Sequence, residues 1–287
     1  MRDRQQSIAI FGPGLMGGSL LMALRQRRPD AQLRAWGRRP EALRELRDRG
    51  LADFCSPDAA AVAAGADAVV LCLPVDQLET IACACAPAVS ADCLVTDVGS
   101  VKGTVTRVLE KIFSGHRNFA GSHPMCGSEA TGLSAARADL YEDALCVVTP
   151  TENSRPEMTA AAAALWSSVG ARVVAMSPAE HDRAAAIVSH VPHVAAAALV
   201  GLLAGENPDV HRLCAGGFRD TTRVASGSPE LWTAILSQNR AETERGIGKL
   251  IGILEKFRLA VVSDDAEALH DLLAQARSAR EAVMHGD

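Results

Sequence analysis

An imidazole able to do acid–base chemistry stands at His123, in the run Gly121-Ser122-His123-Pro124-Met125-Cys126-Gly127-Ser128. Its free value lies close to neutral pH, so a strand-end histidine in a Gly-rich segment is suited to take up and return a proton. A histidine beside proline also suits a plain turn, and the segments around it bear on the choice. Asp97-Val98-Gly99-Ser100-Val101-Lys102 offers a hydroxyl at another strand end, and Ser189-His190-Val191-Pro192-His193 brings two imidazoles in an apolar helical stretch. Further on come Gly217-Phe218-Arg219-Asp220-Thr221-Thr222-Arg223 and Pro229-Glu230-Leu231-Trp232. Arg223 offers a planar fork for bidentate contact with a carboxylate, with Arg219 a less specific candidate. His190 reads equally as a satisfied core histidine or a ligand. No carboxylate or cysteine falls at ligand spacing from the histidine pair, so no metal is expected.

A second constellation binds rather than reacts. Ile8-Ala9-Ile10-Phe11 leads into Gly12-Pro13-Gly14-Leu15-Met16-Gly17, a G-x-G-x-x-G turn between a strand and a helix that runs to about Arg27. Gly12 allows the tight turn, Gly14 lets backbone approach a pyrophosphate, and Gly17 permits close helix–strand contact. The N–H groups at the helix start, around Leu15 and Met16, face the anion. An acidic residue about twenty positions on would accept the ribose hydroxyls of NAD. The second strand instead runs into Gly37-Arg38-Arg39-Pro40, two guanidinium groups that suit a 2′-phosphate, so NADP is expected over NAD. Leu73-Pro74, after the strand from Ala68, belongs in the crevice where the cofactor passes.

These groups need a scaffold. Short β-branched runs alternate with Ala- and Leu-rich helical stretches up to Met176, the rhythm of βαβ units on a parallel sheet. The strands are expected at Ile8 to Gly12, Gln32 to Trp36, Ala68 to Leu73, Cys93 to Asp97, Phe119 to Ser122, Cys146 to Thr149 and Arg172 to Met176. Beyond Ser177-Pro178 only helical patterns follow. The expected organisation is a Rossmann-type α/β domain over residues 1–176 and an all-helical domain over 177–287. The helical half is apolar on several faces, more than a lone hairpin can bury, which points to a homodimer. Ala184 to Ala204 reads as a buried helix rather than a membrane span.

The chain has 287 residues with 48% hydrophobic content and net charge −5. That balance excludes a phosphate-neutralising nucleic-acid surface and leaves a small molecule as the partner. Eight cysteines without Cys-x-x-Cys pairs, mostly in apolar runs, read as reduced thiols of a cytosolic protein. Polar residues 1–6 show no secretory signature, and no regulatory module is expected after the helical part.

Taken in order, the five chemical motifs resemble the prephenate and arogenate dehydrogenases of tyrosine biosynthesis along nearly the whole chain. The resemblance implies a Rossmann domain followed by a helical dimerisation domain, and oxidative decarboxylation of a cyclohexadienol to an aromatic product. It implies that His123 polarises the ring hydroxyl and that Ser100 hydrogen-bonds the same hydroxyl or the nicotinamide side, a helix N-cap being the plainer role for Ser100. It places Arg223 on a substrate carboxylate, Asp220 in support of a site side chain, and His193 toward the pyruvyl side chain. Ser128 would reach the substrate, where the family often has Thr. Trp232 would pack near the substrate or the domain interface.

Prephenate carries a keto group where arogenate carries an ammonium, so selectivity for arogenate calls for an acceptor at that end. His193 and the neutral Asn239, at a position resembling one where some arogenate-selective members carry an acid, point to prephenate. An arogenate or dual-substrate cyclohexadienyl dehydrogenase is the alternative. A β-hydroxyacid dehydrogenase or imine reductase would rely on a helical-domain lysine, and Lys249 and Lys256 lie in no Gly-rich segment. A nucleotide sensor without chemistry would leave His123, Ser100, Arg223 and His193 together without a purpose.

Overall fold

The computed structural model describes residues 6–127 and 130–285. Along β1 (Ser7–Phe11) successive side chains point to opposite faces, so Ile8 and Ile10 enter one apolar core while Ala9 and Phe11 enter another. A strand buried on both faces belongs in the middle of a parallel sheet. It lies there, between β2 (Gln32–Trp36) and β4 (Ala68–Leu71), in a five-stranded parallel sheet whose edges are β3 (Phe54–Ser56) and β5 (Leu94–Asp97). The crossovers are α1 (Leu15–Arg27), α2 (Pro40–Asp48), α3 (Ala59–Ala63) and α4 (Leu78–Cys85). Each fully buried Leu, Ile or Phe of these cores contributes about 1.5–3 kcal/mol.

After α5 (Gly103–Ile112) the parallel pattern changes. A single bridge from Val95 to Phe119 leads into β6 (Gly121–Pro124), which pairs antiparallel with β7 (Leu145–Thr149). β7 then pairs in parallel with β8 (Arg172–Ala175) across α6 (Pro156–Ser168). The expectation of one parallel sheet up to Met176 is corrected at this point. Among the described residues the segment from β6 to β7 has one helical element, a 3₁₀ turn at Leu133–Ala135, and the chain returns antiparallel. That segment folds back over the nucleotide turn: Tyr141 Oη donates to the Met16 carbonyl at 2.7 Å, and the Arg137 N–H donates to Ser19 Oγ at 3.0 Å.

Ser177 caps α7 (Pro178–Ala185) through a reciprocal box with Glu180. A π-turn over Ala186–His190 follows, then α8 (Val191–Gly201). Pro192 has no N–H to return, so the turn widens, and widening rotates Ser189 and His190 toward the site. Pro178–Gly201 is, among the described residues, long and apolar enough to cross a membrane by length and composition alone. Its buried face, however, carries His181, Asp182, His190 and His193, while Ile187, Val188, Leu199 and Val200 are exposed. The reading of Ala184 to Ala204 as a buried helix is therefore corrected: one face is buried, where His190 and His193 join Ala185, Ala186, Val191 and Ala196, and the other is exposed. α9 (Pro208–Arg212), α10 (Gly216–Thr222) and α11 (Pro229–Gln238) complete a compact unit that ends at Arg240, although the change from mixed to helical architecture comes at Ser177.

The second unit, residues 241–287, is described up to 285 and holds α12 (Arg240–Val262) and α13 (Ala266–His285). Asp265 caps α13 by accepting the Ala268 N–H at 2.9 Å. Ile251, Ile253, Leu254, Leu259 and Leu273 are exposed on these helices.

Candidate active site

The glycine-rich turn is fixed by close approach. Gly12 has φ +97°, and a Cβ there would sit 2.3 Å from the Cys72 carbonyl oxygen; one on Gly17 would sit 2.2 Å from the Gly12 carbonyl oxygen. Both positions exclude any larger residue. At Gly14 nothing lies within 4 Å of such a Cβ, which leaves room for a ligand beside the start of α1, while the Gly14 N–H donates to the Gly12 carbonyl at 2.9 Å. A cleft of about 700 Å³ begins here and is walled by Gly14, Leu15, Met16, Leu73 and Pro74. These residues fit the pyrophosphate of a dinucleotide. Arg38 and Arg39 are exposed beyond β2, at the N-terminus of α2, and lie outside the cleft lining.

The same cleft is also lined by Ser100, His123, His190, Arg223 and Trp232. A buried polar lock positions the first two. Lys102 and Asp97 are both 0% exposed and form an ion pair, and Lys102 Nζ also donates to the Ser122 carbonyl at 2.7 Å. Asp97 accepts the Gly99 N–H at 2.8 Å and the Ser122 N–H at 3.2 Å. Ser122 Oγ donates to the Asp97 carbonyl at 2.6 Å and accepts from Trp166 Nε1 at 2.8 Å, leaving Thr96 Oγ1 as the donor in a third 2.8 Å contact. The end of β5, which carries Ser100, is thus tied to β6, which carries His123. Every buried group in this lock has a partner, the condition under which such a network rigidifies a core.

His123 sits at the head of a chain of hydrogen bonds. Its Nδ1 lies 2.8 Å from His181 Nε2, and His181 Nδ1 lies 2.9 Å from Asp182 Oδ1. Asp182 also accepts the N–H groups of Lys102 at 2.7 Å and Gly103 at 2.8 Å, which caps α5. Burial opposes ionisation of Asp182, but the bonds from His181 and these two N–H groups outweigh it and hold its carboxyl below the usual value. An ionised Asp182 requires the proton on His181 Nδ1. His181 Nε2 is then the acceptor, His123 Nδ1 carries its proton, and the His123 Nε2 lone pair is left for a ligand. Burial, followed by the nearby His181, Lys102 and His190, keeps the His123 imidazole well below its ordinary value, so it stays neutral. The group is a hydrogen-bond acceptor and proton base with its tautomer set from behind.

Several expected site residues fall elsewhere. Ser100 lines the cleft but does not cap α5, whose N-cap position is Lys102. His193 is buried with its ring stacked on Trp232, centroids 3.5 Å apart at 12°, and is not part of the cleft lining. Asp220 is exposed on α10 and, among the described residues, makes no hydrogen bond to a site side chain, so its supporting role is not seen in the single chain. Asn239 is also corrected: it is 5% exposed and lies behind the site, with Nδ2 donating to the Asp182 carbonyl at 2.8 Å and lying 3.2 Å from His190 Nδ1. Ser128 lies outside the described residues.

His181 and Asp182 escaped the sequence reading because nothing local links them to His123, 58 residues away. The one available signal was Ser177-Pro178-Ala179-Glu180, a capping pattern that starts the helix bearing them. His190, read as core or ligand, is both buried and on the cleft wall.

Residues 21–175 match the family described as prephenate dehydrogenase, nucleotide-binding domain, and residues 177–275 match prephenate dehydrogenase, dimerization domain. The cyclohexadienyl dehydrogenase of Zymomonas mobilis is 33% identical over 96% of this chain and 95% of its own. The structure of prephenate dehydrogenase from Aquifex aeolicus in complex with hydroxyphenyl propionate and NAD+ superposes with a TM-score of 0.90 at 30% identity, covering 100% of both chains. Arogenate dehydrogenase from Synechocystis gives a TM-score of 0.83 at 31% identity, covering 96% of this chain and 99% of its own. With a Rossmann-type sheet, an imidazole base beside the nucleotide cleft and both domain matches in order, this chain belongs to the prephenate dehydrogenase family and is an NAD(P)-dependent oxidoreductase.

Proposed function

We propose that the protein converts prephenate and NADP to 4-hydroxyphenylpyruvate, carbon dioxide and NADPH in tyrosine biosynthesis. The observation that carries this reading is the His123 Nε2 acceptor, held in one tautomer by His181 and Asp182 on the wall of a cleft that starts at the glycine-rich turn. When bound, the oxidised nicotinamide supplies the hydride acceptor. His123 accepts the hydrogen bond of the ring hydroxyl and takes its proton as hydride leaves the carbinol carbon. The ring is then a cyclohexadienone. Its bond to the carboxylate breaks, the electron pair enters the ring, carbon dioxide departs, and the phenolate oxygen recovers the proton from His123. Aromaticity drives the carbon–carbon cleavage, so no nucleophile is needed. Arg223, also on the cleft wall, anchors a substrate carboxylate, and Ser100 orients the hydroxyl.

Arg38 and Arg39, exposed past β2 where an acidic residue would favour NAD, support the choice of NADP. The relative named for arogenate supports arogenate as the second substrate, processed by the same steps to tyrosine. In this reading residues 1–176 hold the nucleotide, and residues 177–287 hold the substrate and join two copies. The dimerization-domain match and the exposed apolar residues of α8 and α12 support a homodimer. A cytosolic setting accords with thiols such as Cys85 and Cys93, each pushed up to about 12 by burial and so kept protonated. The test is NADPH formation by purified protein with prephenate, run beside L-arogenate and repeated with NAD. Faster turnover with prephenate and NADP is expected, and no turnover on either substrate overturns the reading.

A further inference from the structure

We propose that His190 presents a fixed Nε2–H donor to an acceptor oxygen of the bound cyclohexadienyl substrate, in a tautomer imposed by Asn239. This inference rests on the function proposed above for the same cleft.

Asn239 sets the donor sense of the contact. Its amide faces the Asp182 main-chain carbonyl at 2.8 Å, and a carbonyl oxygen only accepts, so the group placed there is the NH₂ and not the amide oxygen. The same nitrogen lies 3.2 Å from His190 Nδ1, and its second N–H is the one available to that contact. Nδ1 of His190 is then a lone pair, and a neutral ring carries its proton on Nε2. Burial is the main reason that the ring is neutral, pushing its value down to about 4, with His181 adding to the fall and Asp182 opposing it.

That leaves an N–H with no partner. His190 is 1% exposed, and its Nε2 has no hydrogen-bond partner among the described residues. Trp232 meets the ring edge-to-face, centroids 6.3 Å apart at 84°, but an indole N–H is a donor and offers no lone pair. The ring lines the cleft that His123 lines. A buried donor left unmet is costly, and structures keep such groups where a ligand meets them. Asp182 therefore governs two imidazoles: its carboxylate, through His181, makes His123 an acceptor, and its carbonyl, through Asn239, makes His190 a donor. A donor at this point pairs with a carboxylate, keto or hydroxyl oxygen and not with an ammonium, so arogenate would meet it through an oxygen.

The tautomer is read directly by ¹⁵N NMR of the histidine rings in the full-length protein at neutral pH. The expected spectrum shows His190 protonated at Nε2 only, and the Nε2 resonance moves on adding 4-hydroxyphenylpyruvate while Nδ1 stays within its unprotonated range. In Asn239→Asp the carboxylate takes an Nδ1–H and the two assignments exchange; an unchanged spectrum removes Asn239 from its positioning role. In kinetics, His190→Leu raises the KM for prephenate about 10–100-fold, and His190→Gln, which retains an N–H donor, restores most of it. A proton on Nδ1 in the wild type, an Nε2 resonance unmoved by the product, or an unchanged KM in a folded His190→Leu protein overturns the proposal. Wild-type protein that does not turn over prephenate overturns the functional reading, and this proposal with it, and that failure is seen before any variant is made.

Discussion

The two ends of the cleft solve the same problem, holding a small anion in a fixed pose, with different materials. The nucleotide end is built from backbone: Gly12 and Gly17 bring strand and helix together, and Gly14 leaves room for a ligand beside the helix start. The chemical end is built from side chains held from behind, positioned by Asp97 and Lys102 below the strand ends and given their tautomers by Asp182 behind the histidines. A backbone site tolerates neighbouring substitutions as long as the glycines remain. A side-chain relay fails when any link changes its donor or acceptor sense. Mutations of equal size at the two ends should therefore have unequal effects on rate.

The largest such effect is expected at Asp182. Asp182→Asn puts an N–H where only acceptors fit and releases the His181 tautomer, so His123 no longer presents a lone pair. We expect kcat to fall by about 10²–10⁴ with nucleotide affinity unchanged. Steady-state kinetics beside a nucleotide-binding titration checks this, and a preserved kcat shows that the relay does not set the state of His123.

A smaller effect, on binding alone, is expected at the other end. Replacing Arg38 and Arg39 with Ala should raise the KM for NADP about tenfold or more while that for NAD changes little. Equal changes for both cofactors would separate the arginines from the 2′-phosphate.

The smallest concerns stability and follows from His190. Its folded value is about 4, against about 6.5 for a free histidine. Between these values the unfolded chain binds a proton that the folded chain refuses. The stabilisation is complete above pH 6.5 and is lost as the pH falls toward 4, a total of roughly 3 kcal/mol. His190→Gln removes the titration, so denaturant melts of the variant should lose stability less steeply, by roughly 1 kcal/mol per pH unit in that window. A slope equal to that of the wild type would mean that His190 is already charged when folded.

The same contrast decides what can be read from sequence. The glycine turn, α1 and the core strands rest on neighbours within a few residues, and their periodicity marks them; β2 falls on Gln32–Trp36 as the pattern predicts. β3, three residues with one polar edge, carries too short a pattern to be seen. The antiparallel pairing of β6 with β7 depends on how the chain between them returns, which composition does not show. Ser100, His123, Arg223 and Trp232 all line the cleft. His181 and Asp182 became visible only when α7 was docked on the N-terminus of α5, a contact between segments about 80 residues apart. Asn239 was read as a residue at the substrate, and tertiary structure instead puts it one step back, behind His190.

The most direct test of the account is His123→Asn, with kcat for prephenate oxidation and nucleotide affinity measured on the same preparation. An asparagine keeps much of the size and polarity of the ring but has no comparable basicity. A fall in kcat of about 10²–10⁴ with unchanged nucleotide binding is the predicted result. A variant that retains the wild-type kcat would contradict the assignment of His123 as the base and, with it, the purpose given to the chain of bonds behind it.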